Sequence, residues 1–547
     1  MSDTKKQQNF LQGTALLAMA TAIVKVIGAL YKIPLNAIIG EQGFSYFNTA
    51  YEIYNVLLMI STAGLPVAMS RMISQASSLG HNNRIRRIYK TSRAIFLTLG
   101  IAGSLLMTLF CRQLAAFQNQ PDAWAAIGAL GPCVLLICIM STFRGFFQGH
   151  GNMLPTSVSQ VLEAVVKLAV GMLAALALLK TTGSVSLAAG GAILGVTVSC
   201  MASSMYLFSR FRKSYAALAP TEEPAESYAD TAKRLLAIAI PITIGSAGLQ
   251  LLTVIESGLY MDRLVDLIST GRYMSHMVTG TINAQKAAAT LKGLYNMTQT
   301  IFNMPCAFII PITVSVLPAV TSYLTLGDHK GVRDTEESAA RITGLLSLPC
   351  AVGLAVLARP IMALLGGYEG EQLALSAKFM TLQGITVFLY AIIQYTNALL
   401  QSHGYQNVPV VNMLSSGVVR LILVYVMVGN PSLGLMGAPI GALIGYALIA
   451  VLNLLAINRK VAQKPKLLKN LLKPGIPALV MGVVVFFCYR ALVAVLGIDG
   501  SRIILAGAPI AVGAVVYFVC VVLMKSITRE DALLLPKGDK IAKLLRL

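Results

Sequence analysis

Apolar and polar positions come in blocks along this chain. Runs of about 20 mostly apolar residues, the length a helix needs to cross a bilayer, recur fourteen times between short polar connections. The predicted spans are Thr14–Lys32, Tyr46–Ser70, Ala94–Phe110, Trp124–Phe147, Thr156–Leu179, Leu187–Ser209 and Leu235–Tyr260. The second set is Met297–Leu324, Ile342–Leu365, Phe379–Gln401, Val408–Val428, Leu433–Ile457, Ile476–Leu496 and Ile503–Met524. Only Gly429, Asn430, Pro431 and Ser432 separate the eleventh from the twelfth. The first run is long and lacks a small-residue cleavage site, which reads as a retained span. The outer segment Asp262–Lys292 is polar and long enough to cap or extend the seventh and eighth helices.

The polar connections fix an expected orientation. With the N-terminus inside, 28 of the 43 Lys and Arg residues fall on the inner side, ten on the outer side and the rest within or beside spans. By the positive-inside rule this puts both termini in the cytoplasm. Composition agrees with a membrane protein. Of 547 residues, 56% are hydrophobic and 12% charged, against about 25% charged in soluble proteins. Mean hydropathy is +0.72. The net charge of +21 does not imply nucleic acid, because the cations cluster between apolar runs, as in Arg84, Arg86, Arg87, Lys90 and Arg93. No aromatic-basic stripe accompanies them, and Trp124 is the single Trp. The eight cysteines form no CxxC pair and read as small core residues.

The chain also repeats itself. Gln148, His150, Gly151 and Lys167 recur as Gln401, His403, Gly404 and Arg420, all at an offset of 253 residues. Leu79-Gly80 and Leu326-Gly327 correspond at an offset of 247. Fixed-offset identity marks duplicated helical units, and six helices per copy means both enter the membrane in the same direction. The expected fold is all-α and polytopic, with about fourteen transmembrane helices. Two six-helix lobes, 1–214 and 233–460, form a pseudo-two-fold repeat joined by an acidic, proline-bearing linker at 215–232. A two-helix hairpin and a basic tail, 461–547, follow. Substrate sites lie at such repeat interfaces in transporters.

Candidate chemistry lies in the charges inside spans. Lys25 sits mid-way along the first, Glu163 and Lys167 one turn apart on the fifth, Glu256 near the outer end of the seventh, and Arg420 mid-way along the eleventh. A cation at mid-membrane costs about 2.5–3.5 kcal/mol on insertion scales, so such groups face a cavity or a partner. Glu163 and Lys167 are also spaced to neutralise one another, and Lys32 and Arg144 lie close enough to span ends to snorkel. Buried cations exceed buried anions, which favours an anionic substrate. His150 and His403 read as turn residues. Pro34, Pro66, Pro241, Pro305, Pro311, Pro318, Pro349 and Pro439 lie inside or at the ends of helices, as hinges or as ordinary irregularity. Phosphate-loop, HExxH and calcium-loop motifs are absent from the sequence, so transport would be secondary. No cofactor or metal is expected; membrane potential, sodium, protons or substrate consumption would drive it.

The exit of the first helix, Gly28-Ala29-Leu30-Tyr31-Lys32-Ile33-Pro34-Leu35, resembles the stage V sporulation protein B-like polysaccharide transporters. So does Ser61-Thr62-Ala63-Gly64-Leu65-Pro66-Val67-Ala68-Met69-Ser70. The most specific match is Phe143-Arg144-Gly145-Phe146-Phe147-Gln148-Gly149, followed by Pro155-Thr156, Ser159-Gln160, Glu163 and Lys167. That group belongs to the multidrug/oligosaccharidyl-lipid/polysaccharide flippase superfamily. The resemblance covers nearly the whole chain and implies alternating access in a bacterial cytoplasmic membrane. It implies an undecaprenyl-pyrophosphate-linked sugar as cargo, lipid II leading, with membrane lipids and cell-wall synthesis enzymes as further partners and no nucleic acid. It also implies that the final helix pair forms a groove for the lipid tail. On this reading Lys25, Arg144, Lys167 and Arg420 hold the pyrophosphate, while Glu163 and Glu256 tune those cations or couple an ion. The chain departs from the better-studied lipid II flippases at Lys25, where they carry Arg, and at Thr300 and Asn303, which align with an Arg and a Glu. A cation/drug antiporter of the same superfamily and a non-transporting scaffold for wall-synthesis enzymes are the alternatives.

Overall fold

The computed structural model describes residues 2–219, 221, 227–277, 283–461, 465–497, 500–524 and 526. Some side chains within the helices, Lys25 and Pro241, Pro311 and Pro318 among them, lie outside the described residues, as do 220 and 222–226 of the linker and the tail beyond 526. Every element among the described residues is helical. The chain divides into two compact units, Met1–Asn296 and Met297–Leu547.

The first unit begins with α1, Ser2–Thr62, a single helix broken at Gly40, whose φ of 66° lies in the left-handed region that only glycine enters freely. The first two predicted spans are therefore joined through a kink. After Ala63 and Gly64 comes α2 (Leu65–Ser78), opened by Pro66, whose missing N–H suits the first helical turn. A side chain at position 64 would meet the Ala239 carbonyl at 2.2 Å, so only glycine fits there. There follow α3 (Asn82–Leu109), α4 (Cys111–Phe117), α5 (Trp124–Gly149), α6 (Leu154–Thr182), α7 (Val185–Ala216), α8 (Tyr228–Ser269) and α9 (Ala284–Thr325). The linker's first residues are strapped to α3: the Asn82 amide donates to the Ala219 carbonyl at 2.9 Å, and Arg86 to that of Leu218.

Small residues let α6 and α7 approach closely, the usual device where hydrophobic burial cannot drive helix association. A Cβ on Gly195 would fall 2.4 Å from Gly171. Tyr31 of α1 seals this crossing by donating to the Ala192 carbonyl at 3.0 Å. At 42 residues each, α8 and α9 run about 63 Å at 1.5 Å per residue, twice a bilayer core. Both therefore extend into the polar segment predicted to lengthen them.

The second unit contains the rest of α9, then α10 (His329–Val356), α11 (Ala358–Ile361), a π-helical turn at Met362–Gly366, α12 (Gly370–Ser402), α13 (Asn407–Val428) and α14 (Gly437–Lys460). It ends with α15 (Leu467–Leu472), α16 (Gly475–Leu496) and α17 (Arg502–Leu523). Its core gathers Tyr395, Leu399 and Leu400 of α12 with Ala450 and Ile457 of α14 and Leu467 and Leu471 of α15. Asn453 ties helices together by donating to Thr396 at 3.0 Å and Asn397 at 2.8 Å. The hairpin of α16 and α17 is fastened to α10, where Tyr517 donates to the Leu345 carbonyl at 2.7 Å.

Eleven helices of the described residues are long and apolar enough to cross a membrane. The first half of α1, α8 and α9 hold the other three predicted spans; of the fourteen, the second is divided between α1 and α2 at Ala63-Gly64 and the ninth among α10, α11 and the π-helical turn. The close pair between Val408 and Ile457 is indeed two helices, α13 and α14, parted by the turn at Gly429, Asn430 and Pro431. The repeated residues occupy repeated turns. Gly151 and Gly404 both follow a helix and a histidine cap in the left-handed region, at φ 73° and 83°. Gly80 and Gly327 match likewise, at 73° and 70°.

Candidate functional site

Polar groups inside the first unit collect along one face of α1. Residues 31, 47, 51 and 54 on either side of the Gly40 kink form a row of rings. Tyr31 and Phe47 centroids lie 5.9 Å apart, Phe47 and Tyr51 4.9 Å, and Tyr51 and Tyr54 5.8 Å. Two amines sit on this row. Lys32 Nζ lies 6.0 Å from the Phe47 ring and 5.9 Å from that of Tyr51, and donates to the neutral Asn48 Oδ1 at 3.0 Å. Lys167 Nζ, from α6, lies 5.9 Å from the Tyr31 ring. Neither forms an ion pair among the described residues. Ring faces attract an ammonium through their quadrupole but leave its charge uncancelled.

Arg144 of α5 is held differently. It donates to Glu163 Oε2 and to the Ser159 hydroxyl, both at 3.1 Å, both on α6. The ion pair of Glu163 is thus not made with Lys167 at i, i+4; Glu163 binds Arg144 across helices. That leaves the Lys167 amine on Tyr31.

A third group surrounds Lys292 of α9, which is fully buried. It donates to Ser257 Oγ at 2.7 Å, Thr49 Oγ1 at 2.9 Å and Glu52 Oε2 at 3.1 Å. Three acceptors, one of them charged, satisfy all three N–H bonds of the ammonium. Glu256, adjacent to Ser257 on α8, is 8% exposed. Arg420 lies in the second unit on α13, its stem against Gly445 of α14, where a Cβ would stand 3.0 Å from the arginine side chain. Lys25 lies outside the described side chains. The structure therefore groups Arg144, Glu163 and Lys167 in one unit, with Glu256 near Lys292, and Arg420 in the other.

Glu52 and Lys292 are not recognisable as site residues from the sequence, and Lys32, expected to snorkel from a span end, instead lies on the Phe47 and Tyr51 rings and donates to Asn48. Lys32 stood in the quoted Tyr31-Lys32-Ile33-Pro34 stretch, seven residues and so about two turns after Lys25. Glu52 lies inside a predicted span, and an apolar neighbourhood, Ala287-Ala288-Ala289 ahead of Lys292, was the signal for burial there. The two histidines do cap turns, but His403 also binds Glu336, Nε2 to Oε1, at 2.7 Å. No group of three or more metal-ligating side chains occurs among the described residues.

Comparison with known proteins gives this arrangement its setting. The family model described as polysaccharide biosynthesis protein matches residues 10–324, and that described as MatE matches residues 293–426. Similar curated proteins include three from Bacillus subtilis (strain 168). The uncharacterized membrane protein YabM is 25% identical over 98% of this chain and 96% of its own. The lipid II flippase MurJ is 24% identical over 93% and 94%, and stage V sporulation protein B 24% over 97% and 98%. Among solved structures, a lipid II flippase MurJ in an inward closed conformation aligns with a TM-score of 0.67 over 95% of this chain and all of that one, at 14% identity. An inward-facing multidrug resistance MATE family transporter aligns at 0.62 over 81%, at 13% identity, which places the same fold in both. With more than half of its length matched by one model, this multi-pass membrane chain belongs to the polysaccharide biosynthesis protein family.

Proposed function

We propose that the chain is a flippase for an undecaprenyl-pyrophosphate-linked cell-wall precursor, lipid II first among them. It would work by alternating access in the bacterial cytoplasmic membrane, with both termini in the cytoplasm. The observation that carries this reading is the pair Lys32 and Lys167 on the ring row of α1, two amines without an ion-pair partner among the described residues. A pyrophosphate supplies what they lack, and charge-assisted bonds to it are about twice as strong as neutral ones. Arg144, already held by Glu163, would orient at the margin, and Lys25 and Arg420 would complete the cationic set. Glu163 and Glu256 would tune these cations or couple a sodium ion or proton. The likeness to a lipid II flippase and to stage V sporulation protein B supports the cargo class.

The test is complementation of a bacterium depleted of its lipid II flippase, scored by growth and by lipid II reachable at the outer leaflet. Restoration is expected, with Lys32→Ala and Lys167→Ala each lowering outer-leaflet lipid II about tenfold or more while inserting normally. Failure by well-inserted protein would move the cargo to another lipid-linked polysaccharide unit. Thr300 and Asn303, neutral where lipid II flippases carry a charge pair, favour that second reading. Export of a cationic dye, lost on Glu256→Gln, would instead indicate an antiporter.

A further inference from the structure

One cavity of the second unit is lined by none of Arg144, Glu163, Lys167, Lys292 or Arg420. It encloses about 500 Å³ where the start of α12 meets the turn between α16 and α17, with Arg359, Tyr368, Glu369, Tyr489, Arg502 and Leu505 among its walls. Local backbone makes the space. After α11 the π-helical turn widens the chain, which reverses at Gly367 and starts α12 at Gly370. Glu369 occupies the N-cap of α12 but caps nothing; its carboxylate turns instead to the Arg502 guanidinium, which also donates to the Ala363 carbonyl at 3.4 Å. The leading amides of a 33-residue helix thus stand beside two guanidiniums, and helix N-termini favour negative charge. Arg359 forms no ion pair among the described residues. Among the described lining residues, one carboxylate stands with two guanidiniums.

The surroundings say which anion fits. Leu373, Leu505 and Pro360 give part of the cavity's lining an apolar character. At the adjoining ends of α16 and α17, Val495 is 83% exposed and Ile503 71% exposed, apolar surface suited to acyl chains. Arginine and tyrosine together with apolar lining is the pattern of the membrane–water boundary. A free phosphate would use the arginines and gain nothing from that lining. Glu369 is 78% exposed, and an exposed ion pair is weak, so a bidentate phosphate can take Arg502 from it.

We propose that this cavity binds the phosphodiester headgroup of an anionic phospholipid, whose acyl chains lie on the outer face of α16 and α17. Glu369 competes with the lipid for Arg502. The inference is independent of which cargo the protein carries.

The test uses the purified full chain, delipidated in mild detergent and titrated with phosphatidylglycerol, with bound lipid read by native mass spectrometry. Expected is saturable binding that R359Q/R502Q weakens about tenfold and that E369Q strengthens by about twofold or more. Inorganic phosphate in hundredfold excess should not displace the lipid. Equal phosphatidylglycerol binding by R359Q/R502Q, no gain in E369Q, or equal binding of phosphatidylcholine would each overturn the proposal. Displacement by inorganic phosphate would assign the cavity to a free anion and overturn it too. If R359Q/R502Q does not fold, E369Q decides alone, because it keeps both arginines.

Discussion

An ammonium with no access to water must find its acceptors inside the protein, and Lys292 finds Ser257, Thr49 and Glu52. Removing one partner of such a pair strands the other charge. Lys292→Met should therefore lower stability by about 3–5 kcal/mol, seen as a fall in thermal midpoint in detergent, whereas Lys292→Met with Glu52→Leu should recover most of the loss. Tyr31 permits a sharper separation of roles. Its hydroxyl serves the Ala192 carbonyl and its ring serves Lys167. Tyr31→Phe should cost about 1 kcal/mol of stability and leave flipping unchanged; Tyr31→Leu should impair flipping as well, read in the outer-leaflet lipid II assay. Residue chemistry of this kind was half legible in the sequence. Hydropathy exposed Glu163 and Lys167 as charges in an apolar run. It could not show that Glu163 answers to Arg144, because that contact is made across helices and depends on how α5 and α6 pack.

Helices were the most readable level. A run of about 20 apolar residues carries its own evidence, since in lipid each backbone group must be satisfied within the segment. The break at Ala63-Gly64 was not readable as a break, because both residues are small and the flanking hydropathy continues through them. Its reason lies elsewhere, in the Ala239 carbonyl that leaves no room for a Cβ. The same argument applies with more force to α6 and α7. Gly195→Val would drive a branched side chain into Gly171, which is 2.4 Å from where even the Cβ would sit. The expected outcome is loss of folded protein, measured as failure to elute as a single species in size-exclusion chromatography. A change of the same size at Gly507, where a Cβ meets nothing within 4 Å, should be tolerated.

At the scale of the whole chain, the orientation argued from the cations is open to direct test. In a variant with the eight native cysteines replaced, an impermeant thiol reagent added to intact cells should label a cysteine at Lys180, at the exposed end of α6, and spare one at Ser214, at the far end of α7. Labelling at Ser214 alone would invert the topology. The contact division after Asn296 falls inside α9 rather than in the acidic stretch, because α8 packs on α1, α2 and α3. The sequence repeat and the contact division mark different things, ancestry in one case and adhesion in the other.

That ancestry leaves a one-way street between the two copies of the turn. Gln148-Gly149-His150-Gly151 and Gln401-Ser402-His403-Gly404 share a backbone, yet they are not interchangeable parts. The first copy has grown a neighbour against its glycine: a Cβ on Gly149 would strike Ile73 at 2.7 Å. The second keeps a serine whose hydroxyl does no more than return to the Leu399 carbonyl, 2.8 Å away. Transplanting the glycine version into the second copy should be silent, and the reverse graft should not fold well. Divergence after duplication has worked here as a ratchet, and drift in the second turn remains open along a path the first has closed.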